Sequence, residues 1–164
     1  MNRVILTILL LVFGMPAFAC SCVQLNEALK KKVKREFDQS DLILIGEVID
    51  KRITSNGNSS SSSDLVIYDF KITNLIKGIA VGKIIQVLSY RGGDYCGFGF
   101  EIGGKYLVYS RQIDIREFEN QKIESSLKDL ESTYLTTLCD RTKGFYKTSE
   151  KEIKLLEKLG RIKK

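Results

Sequence analysis

Four cysteines constrain the fold of this chain more than any other feature. Cys20 and Cys22 are separated by a single residue, whereas Cys96 and Cys139 stand alone far downstream. Residues that close in sequence do not bridge each other without strain, which leaves two cross-pairings of Cys20 and Cys22 with the downstream cysteines. Either cross-pairing would fasten the segment around Cys20 to distant parts of the fold. A four-cysteine zinc site is the alternative, although its usual spacers are longer than one residue.

An export leader precedes the first cysteine. Asn2-Arg3 is a short basic head, residues 4–13 are apolar, and Ala17-Phe18-Ala19 has the small-x-small pattern at which leader peptidases cut. Residues 1–19 are therefore predicted to be a signal peptide, and the mature chain would begin with the free amine of Cys20. The apolar run is shorter than the roughly 20 residues of a transmembrane helix. We expect a secreted or periplasmic protein with no transmembrane segment.

A lipid anchor on Cys20 is a competing interpretation, because a lipobox also ends in cysteine. The bulky Phe18 and the small Ala17 fit the lipobox pattern poorly. Lipidation would also leave one of the other three cysteines unpaired in an oxidising compartment. These two observations favour an unmodified amine.

Length and composition indicate one globular domain, residues 20–164. Removing 19 of the 164 residues leaves 145, enough for a sizeable core. The formal net charge is +6, and its basic clusters at residues 30–35 and 158–164 lie on amphipathic helical patterns. Such clusters are typical of solvated helix faces, so we expect no nucleic-acid partner.

The chain contains no histidine. This excludes imidazole-dependent triads, a histidine general base and histidine-rich zinc sites. Asp94, Glu101 and Asp140 are candidate carboxylates, but no spacing selects two of them as an acid and base pair. We therefore expect a protein that is not an enzyme, with no cofactor and no metal ion of its own.

Apolar periodicity predicts two helices and five strands. Leu25, Leu29, Val33 and Phe37 form one stripe of a helix from about Asn26, its expected cap, to Gln39. Ser149 and Glu152 form a capping box that opens a final helix with Ile153, Leu156 and Leu159 facing inward. The predicted strands are residues 41–53, 65–75, 82–90, 105–113 and 134–139, with a serine-rich loop at Ser55–Ser63.

Five strands with a helix near the amino terminus and another at the carboxyl terminus are typical of a five-stranded Greek-key OB-fold barrel. The fold class is therefore mainly β with flanking helices. The strand pattern by itself is equally compatible with a β-sandwich.

Motifs along nearly the whole mature chain resemble the amino-terminal, netrin-like domain of the tissue inhibitors of metalloproteinases. Each motif stands in the order found in that family. They are Cys20-Ser21-Cys22, Ser40-Asp41-Leu42, Gly46-Glu47-Val48, Lys77-Gly78, Cys96-Gly97, Phe100, Gly103, Tyr106-Leu107-Val108-Tyr109, Leu135-Thr136-Thr137 and Cys139. The sequence departs from the family pattern at Gln24, where a proline is common, and in lacking the cysteines for a third bridge.

The resemblance implies disulfides Cys20–Cys96 and Cys22–Cys139 and a secreted inhibitor of a zinc metalloprotease. The amine and carbonyl oxygen of Cys20 would chelate the protease zinc, and Ser21 would enter the specificity pocket. The binding ridge would also contain Cys22, Val23, Asp94, Tyr95, Cys96 and Gly97. The alternative function is a non-inhibitory binding module whose bridged cysteines only hold the strands.

Overall fold

The computed structural model describes residues 20–22, 26–54, 61–114 and 133–162. The predicted signal peptide, Val23 and residues 55–60 of the serine-rich loop lie outside these ranges. The helices are α1 (Leu29–Gln39) and α2 (Glu150–Ile162). The strands are β1 (Leu42–Ile53), β2 (Leu65–Lys77), β3 (Ile84–Tyr90), β4 (Lys105–Gln112), β5 (Tyr134–Leu135) and β6 (Lys143–Gly144), with 3-10 turns at Gly93–Tyr95 and Phe145–Lys147.

Five strands close into a barrel in the order β1-β2-β3-β5-β4, and β4 pairs back onto β1. All of these pairings are antiparallel except β3 with β5. This is the OB-fold topology, so the predicted fold class is confirmed. A closed sheet excludes the sandwich alternative.

The barrel interior is filled by alternate residues of the long strands, as a two-residue period requires. On β2, Val66, Tyr68 and Phe70 all point into this core, so every second residue of this stretch is an inner one. Phe100 lies among them, with its ring centroid 4.8 Å from that of Tyr68 and 5.0 Å from that of Phe70. Both ring pairs have the edge-to-face arrangement that aromatic quadrupoles favour.

Strand β1 bends because its register against β2 shifts at three places, the last between Val48 and Asp50. Such bulges increase local twist and allow a sheet to close on itself. One shift falls between Ile45 and Gly46, where an added Cβ would lie 3.0 Å from the Lys71 carbonyl oxygen. A glycine therefore suits the point where β1 turns from β4 towards β2.

The two helices cover one outer wall of the barrel. Val33 and Phe37 of α1 and Leu156 of α2 are fully buried there against Ile43, Leu107 and Tyr109. Leu29, Ile153 and Leu159 pack against the same cluster, which confirms the predicted apolar faces of both helices except at Leu25, which lies outside the described residues. The predicted cap at Asn26 is wrong, since α1 begins three residues later and Ala28, its cap position, makes no side-chain cap hydrogen bond.

The Lys77-Gly78 pair joins β2 to the end of α1. The Lys77 amine donates to the carbonyl oxygen of Phe37 at 2.8 Å and to that of Ser40. It therefore supplies hydrogen bonds to carbonyl groups at the end of α1. Gly78 has φ +100°, and a Cβ there would lie 2.8 Å from the Asp41 carbonyl oxygen.

Two features differ from the predicted strands. The fifth strand has only two residues, and Cys139 lies in the turn beyond it. The strand is short because Thr137 no longer pairs with β3 or β4 and forms a β-bridge with Gly97 instead. Strand β6 was not predicted; it pairs Lys143 and Gly144 with β4. None of the helices in the described ranges has the length and apolarity needed to cross a membrane.

Candidate functional site

Two disulfides fasten residues 20–22 to one end of the barrel. Cys20 is bonded to Cys96 and Cys22 to Cys139, with Cα–Cα distances of 5.4 Å and 5.1 Å. These are the pairs that the family resemblance implies, and both distances are ordinary for disulfides. The sulfur atoms of Cys20, Cys96 and Cys139 all lie within 4.8 Å of one another, so the two bridges are side by side.

Because all four sulfurs are engaged in disulfides, none is available here as the thiolate that a four-cysteine zinc site requires. Ser21 is exposed between Cys20 and Cys22, which are both half-buried. The chain is thus held on both sides of one small, exposed side chain.

The loop that receives Cys20 has a tightly specified backbone. The 3-10 turn at Gly93–Tyr95 leads into Cys96, which adopts the left-handed conformation with φ 57° and donates its N–H to the Gly93 carbonyl oxygen. Gly97 follows against the end of β3, where an added Cβ would lie 1.9 Å from the Tyr90 carbonyl oxygen. Only glycine fits at position 97, so this glycine has a steric role beside the disulfide.

The serine-rich connection between β1 and β2 supports the same loop. The Gly92 N–H donates to the Ser62 carbonyl oxygen at 3.0 Å, and the Ser62 hydroxyl donates to the Asp94 carboxylate at 2.6 Å. The Arg91 N–H donates to the Asp64 carbonyl oxygen at 2.8 Å. Asp94 therefore holds two loops together, and its carboxylate already has a partner.

The loops that receive Cys20 and Cys22 also contact each other directly. The Leu138 N–H donates to the Cys96 carbonyl oxygen at 2.7 Å, and Gly97 forms a β-bridge with Thr137. Tyr95 and Leu138 are both exposed beside this junction. The two arms that carry residues 20–22 consequently form one connected unit.

Buried hydroxyl groups fix this unit to the barrel. The Ser89 hydroxyl, which is fully buried on β3, accepts from the Phe98 N–H at 2.7 Å and donates to the Thr136 carbonyl oxygen at 2.8 Å. The Thr136 hydroxyl in turn donates to the Tyr109 carbonyl oxygen at 2.8 Å. Both of these buried hydroxyl groups thereby have partners, which avoids the cost of leaving them unsatisfied.

Asp140 closes the turn around Cys139. Its carboxylate accepts from the N–H and the hydroxyl of Thr137 at 2.7 Å and 2.9 Å, and it pairs with Arg111 at 3.4 Å. Of the three candidate carboxylates, Asp94 and Asp140 therefore each brace a different loop. Glu101 lies in the turn before β4 with an exposed side chain.

A buried ion network lies just beyond this turn. Glu152 of α2 has only 2% of its surface exposed and accepts from Arg141 through both oxygens at 3.0 Å, from Lys143 at 2.7 Å and from the Tyr109 hydroxyl at 3.0 Å. Burial alone would raise the pKa of Glu152, but the hydrogen bonds from Arg141 and Lys143 outweigh it and lower that pKa. Burial raises the pKa of Tyr109, and the neighbouring carboxylate raises it further.

This network corrects the predicted capping box. The Ser149 hydroxyl does accept from the Glu152 N–H at 3.3 Å, but the Glu152 side chain does not return the bond to the cap. It binds Arg141 instead, two residues after Cys139. The carboxyl-terminal helix is therefore connected to the arm that holds Cys22.

We define the amino-terminal ridge as residues 20–22 together with loops 91–97 and 137–140. Of the predicted ridge residues, Cys20, Ser21, Cys22, Asp94, Tyr95, Cys96 and Gly97 belong to this unit, and Val23 lies outside the described residues. Ser62 and Leu138 were not predicted. Leu138 could have been predicted from its position next to Cys139. No feature of the sequence around Ser62 indicates its contact with Asp94.

Searches with protein-family models and against curated proteins return no match to this sequence. The functional assignment therefore depends on the residues and geometry of the ridge.

Proposed function

We propose that the mature chain is a secreted inhibitor of zinc metalloproteases, similar to the tissue inhibitors of metalloproteinases, and that it acts through its amino-terminal ridge. The observation that carries this proposal is the fastening of Cys20-Ser21-Cys22 by two adjacent disulfides, with Ser21 exposed between them. A protein built for this task needs no catalytic group of its own.

The amine and carbonyl oxygen of Cys20 are the proposed zinc ligands. A terminal amine has a pKa near 7.7 to 8.0, so part of it is neutral at physiological pH and zinc displaces the proton from the rest. Both groups belong to one residue and close a five-membered chelate ring. Such a chelate replaces the zinc-bound water, which is the nucleophile that would otherwise cut the bound chain.

Rigidity of the ridge supports this role. A flexible amino terminus would lose conformational freedom on binding, which weakens affinity. Here that freedom is already restricted by two disulfides and by the Leu138–Cys96 hydrogen bond. The ridge would therefore enter a protease cleft with little further ordering.

Ser21 is the proposed contact with the primary specificity pocket. It is exposed and follows the proposed zinc ligand directly, so a protease that binds Cys20 would meet the Ser21 side chain next. Tyr95 and Leu138 directly precede the cysteines that bond to Cys20 and Cys22, and both are exposed; aromatic side chains are often anchors in protein interfaces.

A one-residue extension tests the chelate. The native chain is produced with its leader in an exporting host, and mass spectrometry establishes that it begins at an unmodified Cys20. A second form carries one alanine before Cys20. The native form should inhibit zinc endopeptidases with the HExxH motif, and the extension should weaken inhibition by about 100-fold or more, since it blocks one zinc ligand.

The extension has its own controls. Both forms should have two disulfides and the same melting temperature, because the extra residue lies outside the bridges. If correctly processed native protein inhibits no member of a broad zinc endopeptidase panel, or if both forms inhibit equally, the proposal is wrong. The second outcome would favour a binding module in which the cysteines only hold the fold.

A further inference from the structure

Two aliphatic side chains project into water at the connection between β2 and β3. Ile79 is 79% exposed and Val81 is 82% exposed, whereas Ala80 between them packs against the barrel core. We call Ile79 and Val81 the apolar tip. Single exposed aliphatic residues are common, so two of them presented by one short turn are the more informative feature.

The backbone that carries the apolar tip is well specified. Gly78 and Gly82 on either side both have positive φ, at 100° and 93°. A side chain at position 78 would meet both Asp41 and Leu42 of β1. Because the turn is braced against the barrel at Gly78 and through Ala80, exposure of the two aliphatic residues is a feature of the folded state.

Exposed cations follow the apolar tip in sequence and lie beside the end of β2 that leads into it. Lys83 is exposed two residues after Val81, and the last turns of α2 lie beside the end of β2, where a Cβ added at Gly160 would lie 2.7 Å from the Ile76 carbonyl oxygen. Arg161 lines a shallow cavity together with Ile76, and Lys158 is exposed on the same helix. Ile79 is three residues from Ile76, at most about 11 Å along the chain.

The neighbouring acids leave this region with an excess of positive charge. Glu157 is half-buried in the same cavity, and the Asp41 carboxylate accepts the Gln112 N–H, so these two acids stand against the three cations. Exposed aliphatic side chains next to exposed Lys and Arg are the combination that binds an anionic lipid surface.

We propose that the apolar tip, with Lys83, Lys158 and Arg161, is a binding site for an anionic membrane surface. Ile79 and Val81 would enter the headgroup boundary while the three cations contact lipid phosphates. This site is separate from the amino-terminal ridge and does not depend on the inhibitory function.

Vesicle co-sedimentation tests the site with the mature protein. Vesicles of phosphatidylcholine with phosphatidylglycerol should bind it at low salt, and vesicles of phosphatidylcholine alone should bind far less. The double substitution Ile79→Ser/Val81→Ser should reduce binding by about tenfold or more. The substitution Lys158→Gln/Arg161→Gln should also weaken binding and make it less dependent on salt.

Ile53→Ser is the matched control, because Ile53 is 49% exposed and pairs with Val66 at the opposite end of β2. It should bind vesicles as the unsubstituted protein does. All variants should keep the same melting temperature. Absence of binding to anionic vesicles, equal loss with Ile53→Ser, or unchanged binding by the tip variant would overturn the proposal. So would a dimer in sedimentation velocity that the tip substitutions abolish, since the occupant would then be a second copy of the chain.

Discussion

The end of the barrel that carries the ridge and the wall beneath the two helices are stabilised in different ways. At the ridge, two disulfides, close-packed Gly97 and backbone hydrogen bonds fix the chain while Ser21, Tyr95 and Leu138 remain exposed. Beneath the helices, the chain is fixed by burial of apolar side chains and by the Glu152 network. A surface that must be exposed cannot be stabilised by its own burial, so its rigidity has to come from covalent bonds and backbone geometry.

Among the changes that test this comparison, removing the Cys22–Cys139 disulfide should lower the free energy of unfolding most. With Cys20–Cys96 intact, the substitution Cys22→Ser/Cys139→Ser releases a loop of several tens of residues, and the chain-entropy relation gives a loss of about 4 kcal/mol. Denaturant unfolding measures this loss. The helical signal in circular dichroism should survive in water, because the wall beneath the helices contains no disulfide. Simultaneous loss of the helices would contradict the separation of the two regions.

Breaking the Glu152 network should have the next largest effect. Glu152→Gln leaves Arg141 and Lys143 without their carboxylate, and breaking a buried ion pair costs about 3 kcal/mol. Thermal or denaturant unfolding at neutral pH measures the loss. Glu150→Gln is the matched control on the same helix, since its exposed carboxylate lies 4.0 Å from Lys154 and should contribute little.

The pH dependence sharpens the same comparison. Because the folded-state pKa of Glu152 is lowered, its contribution is complete above the unfolded-state pKa and declines as pH falls through the folded-state pKa. The stability difference between the native protein and Glu152→Gln should therefore shrink as the pH falls below about 4. A difference that stays constant from pH 7 to pH 3 would show that the loss comes from packing.

A smaller loss is expected at Gly97. Gly97→Ala places a Cβ against the Tyr90 carbonyl oxygen, and relieving such an overlap costs roughly 2 kcal/mol. Gly99→Ala is the control, since a Cβ there meets no atom within 4 Å. Amide hydrogen exchange should increase around residues 92–97 in the first variant only. Equal stability of the two variants would mean that the ridge loop can shift without cost.

The smallest effect on stability is expected at Ser21. Ser21→Ala should change the free energy of unfolding by less than about 0.5 kcal/mol, because the side chain is exposed. Ser21→Arg should be equally neutral for stability and should change which proteases are inhibited. A large stability loss with Ser21→Ala would show that this residue is structural.

The sequence predicts the barrel well because alternation reports which side of a strand is buried. Val66, Tyr68 and Phe70 specify the inner face of β2 directly. The predicted start of α1 was wrong because an apolar stripe indicates which face of a helix is buried and does not indicate where its first hydrogen bond forms. Strand β6 has only two residues, which is too short to show an alternating pattern. It is recognisable only from its pairing with β4.

The candidate site was predictable where a local motif and a steric demand coincide, as at Cys96-Gly97. It was less predictable where residues far apart in sequence meet. Ser62 contacts Asp94 across 32 positions, and Glu152 satisfies a capping motif while its carboxylate binds elsewhere. Both contacts arise from the closed barrel, which brings the loops together at its end.

The Cys22–Cys139 bridge joins positions separated by 117 residues. Since ribosomes deliver a polypeptide from its amino end, Cys22 emerges long before its partner exists. This bridge can form only after translation has passed Cys139. A product interrupted before Cys139 would lack this bridge, so a complete ridge is evidence that synthesis has passed Cys139.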